Sequence, residues 1–206
     1  MKECFLTLQG EGMQAGSRAV FLRFAGCNLW SGREEDRATA ECRFCDTDFV
    51  GTGGEGGGKF RSAGELAGHV ESLWGERVEQ RLVVITGGEP MLQLDSVLVD
   101  ELHARGFRVA VETNGTLPAA AGLDWICVSP KAGTRVVQRE GNELKLVWPQ
   151  TGIDPADLEQ WSFEHFLVQP MDCGAREQAI QAAIELAMER PKWRLSLQAH
   201  KVLGLP

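Results

Sequence analysis

Cys27, Cys42 and Cys45 stand in a C-x14-C-x2-C spacing at the end of the apolar run AVFLRFAG, residues 19–26. Two thiolates in C-x2-C can grip one metal centre, and a third can reach it from the far side of a loop. Thiolate is the soft ligand that selects zinc or an iron–sulfur cluster. Both centres want four ligands and this stretch supplies three. Either a distant residue completes the shell, or the fourth position is open to something that is not protein. Directly after Cys45, the side chains of Asp46, Thr47 and Asp48 gather hard oxygens that could hold Mg2+; an Asx-type turn closing the cysteine loop uses the same residues. The loop itself, with Arg33, Glu34, Glu35, Asp36 and Arg37, reads as a solvated excursion.

Other polar groups recur where apolar runs end. Thr86-Gly87-Gly88-Glu89-Pro90 follows LVVI, Thr113-Asn114-Gly115 follows VAVE, and Ser129-Pro130-Lys131 follows DWICV. Gln169-Pro170-Met171-Asp172 follows FLV, and Gln198-Ala199-His200 follows RLSL. Any one of these could be turn chemistry, but five together place a site along one rim of a parallel sheet, where α/β folds bind ligands. Near the start, Gln9-Gly10-Glu11-Gly12 either makes a plain turn or lets backbone pass close to a ligand. Arg23 interrupts a buried strand; it snorkels from the strand end or waits for an anion. Gly53 to Lys59 imitates a P-loop, but Phe60 stands where the metal-binding hydroxyl belongs, so that reading fails.

The elements that must position these groups follow from periodicity. Strands are expected at Phe5–Leu8, 19–26, 82–86, 107–113, 124–130, 143–149, 165–170 and 194–201. Helices are expected from Ser62 to Trp74, with Ser62 as N-cap and Glu65 completing a capping box, from Leu94 to Arg105, briefly after Asp154-Pro155, and from Arg176 to Glu189. GTGGEGGG, residues 51–58, reads as a flexible connector. Alternating strands and helices mean parallel β/α units in one domain, residues 1–206.

Composition narrows the function. The chain has 206 residues, 43% hydrophobic and 24% charged, enough for one self-sufficient core. A net charge of −8 argues against broad binding to nucleic acid or an anionic membrane. No run approaches a membrane span and MKECFLTLQGEG lacks a signal-peptide core. Six cysteines without secretory context read as cytoplasmic thiols rather than a disulfide frame. Cys4, Cys127 and Cys173 match no ligand spacing and are expected to be buried structural thiols.

With TGGEP placed after a three-cysteine loop, the chain resembles the radical S-adenosylmethionine superfamily. There three cysteines bind three irons of a [4Fe–4S] cluster, and S-adenosylmethionine chelates the fourth. The superfamily's usual spacing is C-x3-C-x2-C. The longer loop beginning CNLWSGRE, with LQGEG, CRFCDTDFVGT, TGGEPMLQLD, ETNGT, WICVSPK, LVQPMD and a Q-x-H-K tail, is similar to the 7-carboxy-7-deazaguanine synthase family over nearly the whole length.

That resemblance implies a mostly parallel sheet curved into a partial (β/α) barrel, a trimmed form of a six-stranded core. It implies a lyase that contracts 6-carboxy-5,6,7,8-tetrahydropterin to 7-carboxy-7-deazaguanine with loss of ammonia, on the route to queuosine and related 7-deazapurines of tRNA. A radical made from S-adenosylmethionine takes hydrogen from the pterin and later returns it. It also implies Mg2+, an electron donor such as flavodoxin, and a homodimer. Carried over by position, Cys27, Cys42 and Cys45 would hold the cluster and Thr47 the Mg2+. Phe44, Cys45, Asp46, Gly88, Ser129, Pro130, Lys131, Gln169, Pro170, Met171 and Asp172 would meet S-adenosylmethionine. Leu8, Gln9, Gly10, Arg23, Thr86 and Pro206 would meet the pterin, with Arg23 on its carboxylate.

Leu6 stands where related chains carry tyrosine, and Ala199 replaces a threonine of the tail. Two rival classes remain: a radical activating enzyme acting on a protein glycine, and a non-enzymatic zinc or iron–sulfur module. The first would not need LQGEG, Arg23 or QPMD; a structural zinc site would be closed by four ligands.

Overall fold

The computed structural model describes residues 1–206. Eight strands form one sheet in chain order: β1 (Glu3–Leu8), β2 (Arg18–Phe24), β3 (Leu82–Gly87), β4 (Arg108–Thr113), β5 (Trp125–Val128), β6 (Glu140–Trp148), β7 (Ser162–Pro170) and β8 (Trp193–Leu195). β1 runs antiparallel to β2 and every later pair is parallel. The sheet does not close, since β8 and β1 are not paired. Instead the segment after β1 lies across the gap. Gly12 N–H donates to Ser196 Oγ at 3.0 Å, Ala199 N–H to Gly10 C=O at 2.9 Å, and Met13 N–H to Glu143 Oε2 at 2.9 Å.

Strand periodicity divides the sheet into two faces. On the outer face Val20, Leu22, Val83, Ile85, Val109 and Val111 pack against α1 (Ala63–Trp74) and α2 (Ser96–Ala104). Leu144, Leu146, Phe166 and Val168 pack against α4 (Arg176–Glu189), and Leu158 of the short α3 (Pro155–Leu158) joins them. The inner face begins apolar, with Ala19, Leu82, Val84 and Ala110. It turns polar along the strands: Arg23 pairs in register with Thr86, and Glu112 with Cys127, itself paired with Glu143.

The helix starts follow their caps. Ser62 Oγ accepts from Glu65 N–H at 3.2 Å, Asp95 caps α2 through Leu98 N–H, and Asp154 caps α3 through Ala156 N–H. Glu65 reaches back to Arg61 N–H at 2.7 Å rather than to the cap residue's own, so the expected capping box is shifted by one position.

Other differences have physical reasons. The strand number is the eight that periodicity predicts, and the trimming of the barrel falls on helices: the β4–β5 and β5–β6 connections are parallel crossovers without helix. The expected strand 194–201 is three residues of β8 followed by α5 (Ala199–Leu203), because the loop at Gly10, not another strand, takes the Ala199 N–H. Residues 51–58 are no free connector. They lie along the edge of β1, with Cys4 N–H donating to Glu55 C=O at 2.7 Å and Gly54 N–H to Lys2 C=O at 3.1 Å, which covers an exposed sheet edge. Cys4 and Cys127 are buried as expected, but Cys173 is exposed, in the turn before α4.

Candidate active site

The cysteine loop is a folded unit. Leu29 N–H donates to Cys27 Sγ at 3.4 Å and Cys42 N–H to Leu29 C=O at 3.3 Å, so its two ends are tied together. Trp30 is buried edge-on against Phe49, ring centroids 5.5 Å apart. The charged stretch forms a 3-10 turn, Glu34–Thr39, whose Arg37 guanidinium lies 4.0 Å from the Trp30 ring centre. The excursion is thus packed rather than merely solvated. Asp48 does make an Asx turn, accepting from Val50 N–H at 3.0 Å.

The TGGEP turn abuts the first cysteine. Glu89 N–H donates to Gly26 C=O at 3.0 Å, and a Cβ at Gly88 would fall 2.6 Å from Cys27 Cβ, so only glycine leaves room. Glu89 is fully buried; its carboxylate accepts from Thr113 Oγ1 at 2.7 Å, Asn114 N–H at 2.8 Å and Met91 N–H at 2.9 Å. Burial pushes this carboxyl up despite the three donors. Asn114 Nδ2 in turn donates to Asn28 Oδ1 at 3.0 Å, fixing the residue beside Cys27.

Two further strand ends face the same space. After β5, Lys131 Nζ donates to Ser129 C=O at 2.8 Å and to its Oγ at 2.7 Å, and lies 5.8 Å from the Phe44 ring centre. Burial pushes the Lys131 ammonium down, while the neighbouring Cys42 and Cys45 act to raise it. It has no carboxylate partner. Beyond β7, Asp172 accepts from Lys201 of α5 at 2.5 Å, and Asp46 accepts from the same ammonium at 2.5 Å. Lys201 therefore clamps the segment after the third cysteine to the QPMD segment. Gly10 is where α5 passes closest to the β1–β2 connection, and a Cβ there would lie 2.8 Å from His200 N.

Sequence reasoning missed the charged layer inside the barrel. Lys145, buried on β6, bonds Glu11 at 2.5 Å and Glu112 at 3.2 Å. Gln9 Nε2 donates to Glu112 at 3.1 Å, Gln198 Nε2 to Glu11 at 2.9 Å, and Ser196 Oγ to Gln169 Oε1 at 3.1 Å. Burial opposes the charge on Glu11, but Lys145 outweighs it, with help from Gln198 and Gln169, and holds the carboxyl at about 2. Burial likewise works against the Lys145 ammonium, yet Glu11 and Glu112 raise it well above its ordinary value. A signal existed: Glu143 and Lys145 alternate with Leu144 and Leu146, on a parallel strand that should read continuously apolar when both faces are dry.

The three cysteines, Gly88, Lys131 and the Glu11–Lys145–Glu112 layer open onto one cavity of about 490 Å3, within the range of small-molecule sites. The expected site residues Leu8, Gln9, Gly10, Arg23, Cys27, Cys42, Phe44, Cys45, Asp46, Thr47, Thr86, Gly88, Ser129, Lys131, Gln169, Pro170, Met171, Asp172 and Pro206 all line it. Pro130 does not; it faces a neighbouring hollow, and its carbonyl accepts from Gln150 Nε2 at 3.3 Å. Arg23 already has one anion, Glu3, at 2.7 Å from Nε; its terminal nitrogens have no protein partner.

The pattern of the Radical SAM superfamily matches residues 37–146, and the chain belongs to that superfamily of cluster-dependent S-adenosylmethionine enzymes. The 7-carboxy-7-deazaguanine synthase of Caulobacter vibrioides is 61% identical, and that of Bordetella pertussis 58%, each alignment covering 100% of this chain and 98% of the relative. The crystal structure of QueE from Escherichia coli superposes with a TM-score of 0.72 at 27% identity, covering 97% of this chain and 93% of that one. Within the superfamily, the chain is a member of the 7-carboxy-7-deazaguanine synthase family.

Superfamily membership implies a [4Fe–4S] cluster and S-adenosylmethionine, and the residues suit them. Three free thiols line one cavity; burial pushes the Cys27 and Cys42 thiols up, so a metal must displace their protons when it binds. No three His, Cys, Asp or Glu side chains converge on one point as a single ion demands; separate irons of a cluster do not ask it of them. No helix is long and apolar enough to cross a membrane.

Proposed function

We propose that this chain contracts 6-carboxy-5,6,7,8-tetrahydropterin to 7-carboxy-7-deazaguanine with release of ammonia, feeding the synthesis of queuosine-type 7-deazapurines. The observation that carries this reading is the single cavity shared by the three cysteines, the TGGEP turn, Lys131 and Arg23. The relatives at 58–61% identity favour it over an activating enzyme acting on a protein glycine.

When bound, the cluster and S-adenosylmethionine supply the radical that starts the ring contraction. The chain's work is binding, orientation and exclusion of water. Cys27, Cys42 and Cys45 would hold the cluster. Lys131, a half-buried cation with no carboxylate partner, suits the cofactor's carboxylate, which would give it the charge-assisted partner it lacks. Phe44 and the Cys45–Asp46 backbone would border the cofactor's adenine, Gly88 its methionyl amine, and Ser129 and Gln169 to Asp172 the rest; Pro130, which faces the neighbouring hollow, would only shape the turn that presents Ser129 and Lys131.

On the pterin side, Glu3 holds Arg23 by Nε, leaving the terminal nitrogens to grip the substrate carboxylate in a fork lysine cannot copy. Leu8, Gln9, Gly10, Thr86 and Pro206 would surround the ring, and Thr47 would supply an oxygen ligand if Mg2+ binds there. Lys201 ties the segment after Cys45 to the QPMD segment by joining Asp46 to Asp172. We further propose a single domain spanning residues 1–206, a cytoplasmic homodimer, and reduction by a flavodoxin-like donor; six free thiols support a reducing compartment.

Anaerobic reconstitution with iron and sulfide, then dithionite, S-adenosylmethionine and the pterin, is expected to give 7-carboxy-7-deazaguanine by mass and ultraviolet spectrum. Product should disappear in Cys27→Ala and fall when Mg2+ is chelated. Cleavage of S-adenosylmethionine without the deazaguanine would overturn the substrate assignment.

A further inference from the structure

The excursion between Cys27 and Cys42 has one side chain that ties its far end to the ligand-bearing backbone. Arg37 stacks its guanidinium 4.0 Å from the centre of Trp30, which is buried against Phe49. From that platform Nη1 donates to two carbonyls of the C-x2-C segment, Arg43 C=O at 3.0 Å and Cys45 C=O at 3.1 Å. Nε takes both carboxylate oxygens of Glu34 at 2.8 Å, an ion pair whose acid is 78% exposed. Trp30 is itself held by its indole N–H, which donates to Arg33 C=O at 3.0 Å.

A carbonyl gripped by a charge-assisted donor fixes the peptide plane on its C-terminal side. Here that plane joins Cys45 to Asp46, both of which line the cavity. The same contact sets a full positive charge against the peptide of one ligand, and charge close to a cluster is one of the levers on its potential. Only a planar, forked cation can stack on an indole and serve two carbonyls and a carboxylate together.

We propose that Arg37 is a positioning residue for the cluster: it locks the Cys45 peptide and favours the reduced, more negative state. The extended cysteine loop is then the scaffold that delivers this arginine. The inference rests on Cys27, Cys42 and Cys45 holding the cluster, and its test separates the two.

Wild type, Arg37→Met, Arg37→Lys and Glu34→Gln are reconstituted anaerobically, and iron and sulfide per chain, the electron paramagnetic resonance spectrum after reduction, and the midpoint potential are read for each. Arg37→Met is expected to surrender iron to excess chelator about tenfold faster, the scale of one charge-assisted hydrogen bond, and to show a more negative potential with an altered resonance line shape. Arg37→Lys, which keeps the charge, should restore most of the potential but not the iron retention. Glu34→Gln should match wild type, since an exposed ion pair contributes little. A wild-type chain that takes up no cluster overturns both readings. A wild-type cluster matched by Arg37→Met in potential and line shape, or an equal change in Glu34→Gln, overturns the role of Arg37 alone.

Discussion

Strands β2, β3, β4 and β6 carry two faces that share a backbone and differ in almost everything else. Outward, Leu22, Ile85, Val111 and Leu146 are buried in dry clusters under the helices. Inward, one residue away, stand Arg23, Thr86, Glu112 and Lys145, lining the cavity. The outer face is stabilised by area removed from water, about 25 cal/mol per Å2 with no directional demand. The inner face contributes little net stability, because each buried charge must first be desolvated. It specifies geometry instead. A charged layer held by Lys145 gives fixed donors and acceptors to a polar substrate, which hydrophobic packing could not do.

The sharpest way to break this contrast is Lys145→Met. It strands Glu11 and Glu112 without their cation and is expected to cost about 3–5 kcal/mol, a melting temperature roughly 10 °C lower at neutral pH. Ile85→Ala, on the outer face, should cost a comparable 2–5 kcal/mol, approximately, by cavity formation. Only the first cost should depend on pH. Thermal melts at pH 7 and near pH 2 decide it: the Lys145→Met penalty shrinks as its partners protonate, and that of Ile85→Ala does not.

The acid limb of wild type sharpens the same point. Glu11, ordinarily near 4.5, is held at about 2. A depressed carboxyl contributes stability that is fully present above its unfolded pKa and lost as pH falls through the folded one. The contribution, about 3 kcal/mol, should therefore be intact above pH 4.5 and drain away toward pH 2. Glu11→Gln is expected to flatten that part of the stability curve, and a curve identical to wild type would remove Glu11 from the account.

Thiol labelling of the apoprotein compares three further cysteines. Burial pushes Cys4 up to about 12 from 9.0, roughly a thousandfold less thiolate, and Cys127, on the inner face beside Glu143, is raised well above its ordinary value, chiefly by burial. Exposed Cys173 should take iodoacetamide first by mass spectrometry, with Cys4 and Cys127 reacting only on unfolding.

Legibility in the sequence followed the two faces. LVVIT, the caps at Ser62 and Asp154 and the amphipathic run Arg176–Glu189 announce the outer core, because apolar periodicity and capping are local signals. The strand-end motifs announce the rim for the same reason, and each of the five sends residues into the cavity. What stayed hidden depends on partners far apart in the chain. Glu11 meets Lys145 across 134 residues and Lys201 meets Asp46 across 155, distances over which no periodicity speaks. Residues 51–58 looked flexible because glycine composition does not reveal that the backbone itself is hydrogen-bonded to β1. Arg37 looked solvated because its charge is visible in the sequence and its stacking on Trp30 is not.

The smallest test asks whether the two faces are independent. Ser62 caps α1 by accepting from Glu65 N–H, and that helix touches the outer core through Leu66, Ala67, Val70 and Trp74. Ser62→Ala should cost about 1 kcal/mol, a melting point lower by roughly 2–4 °C. Iron content and turnover should stay unchanged, because distant sites without shared partners add. Measured together with Lys145→Met, the two penalties should sum. If the cap mutation instead altered cluster retention, the outer face would be coupled to the inner one through β2 and β3. The division between a core that stabilises and a layer that specifies would then be too clean.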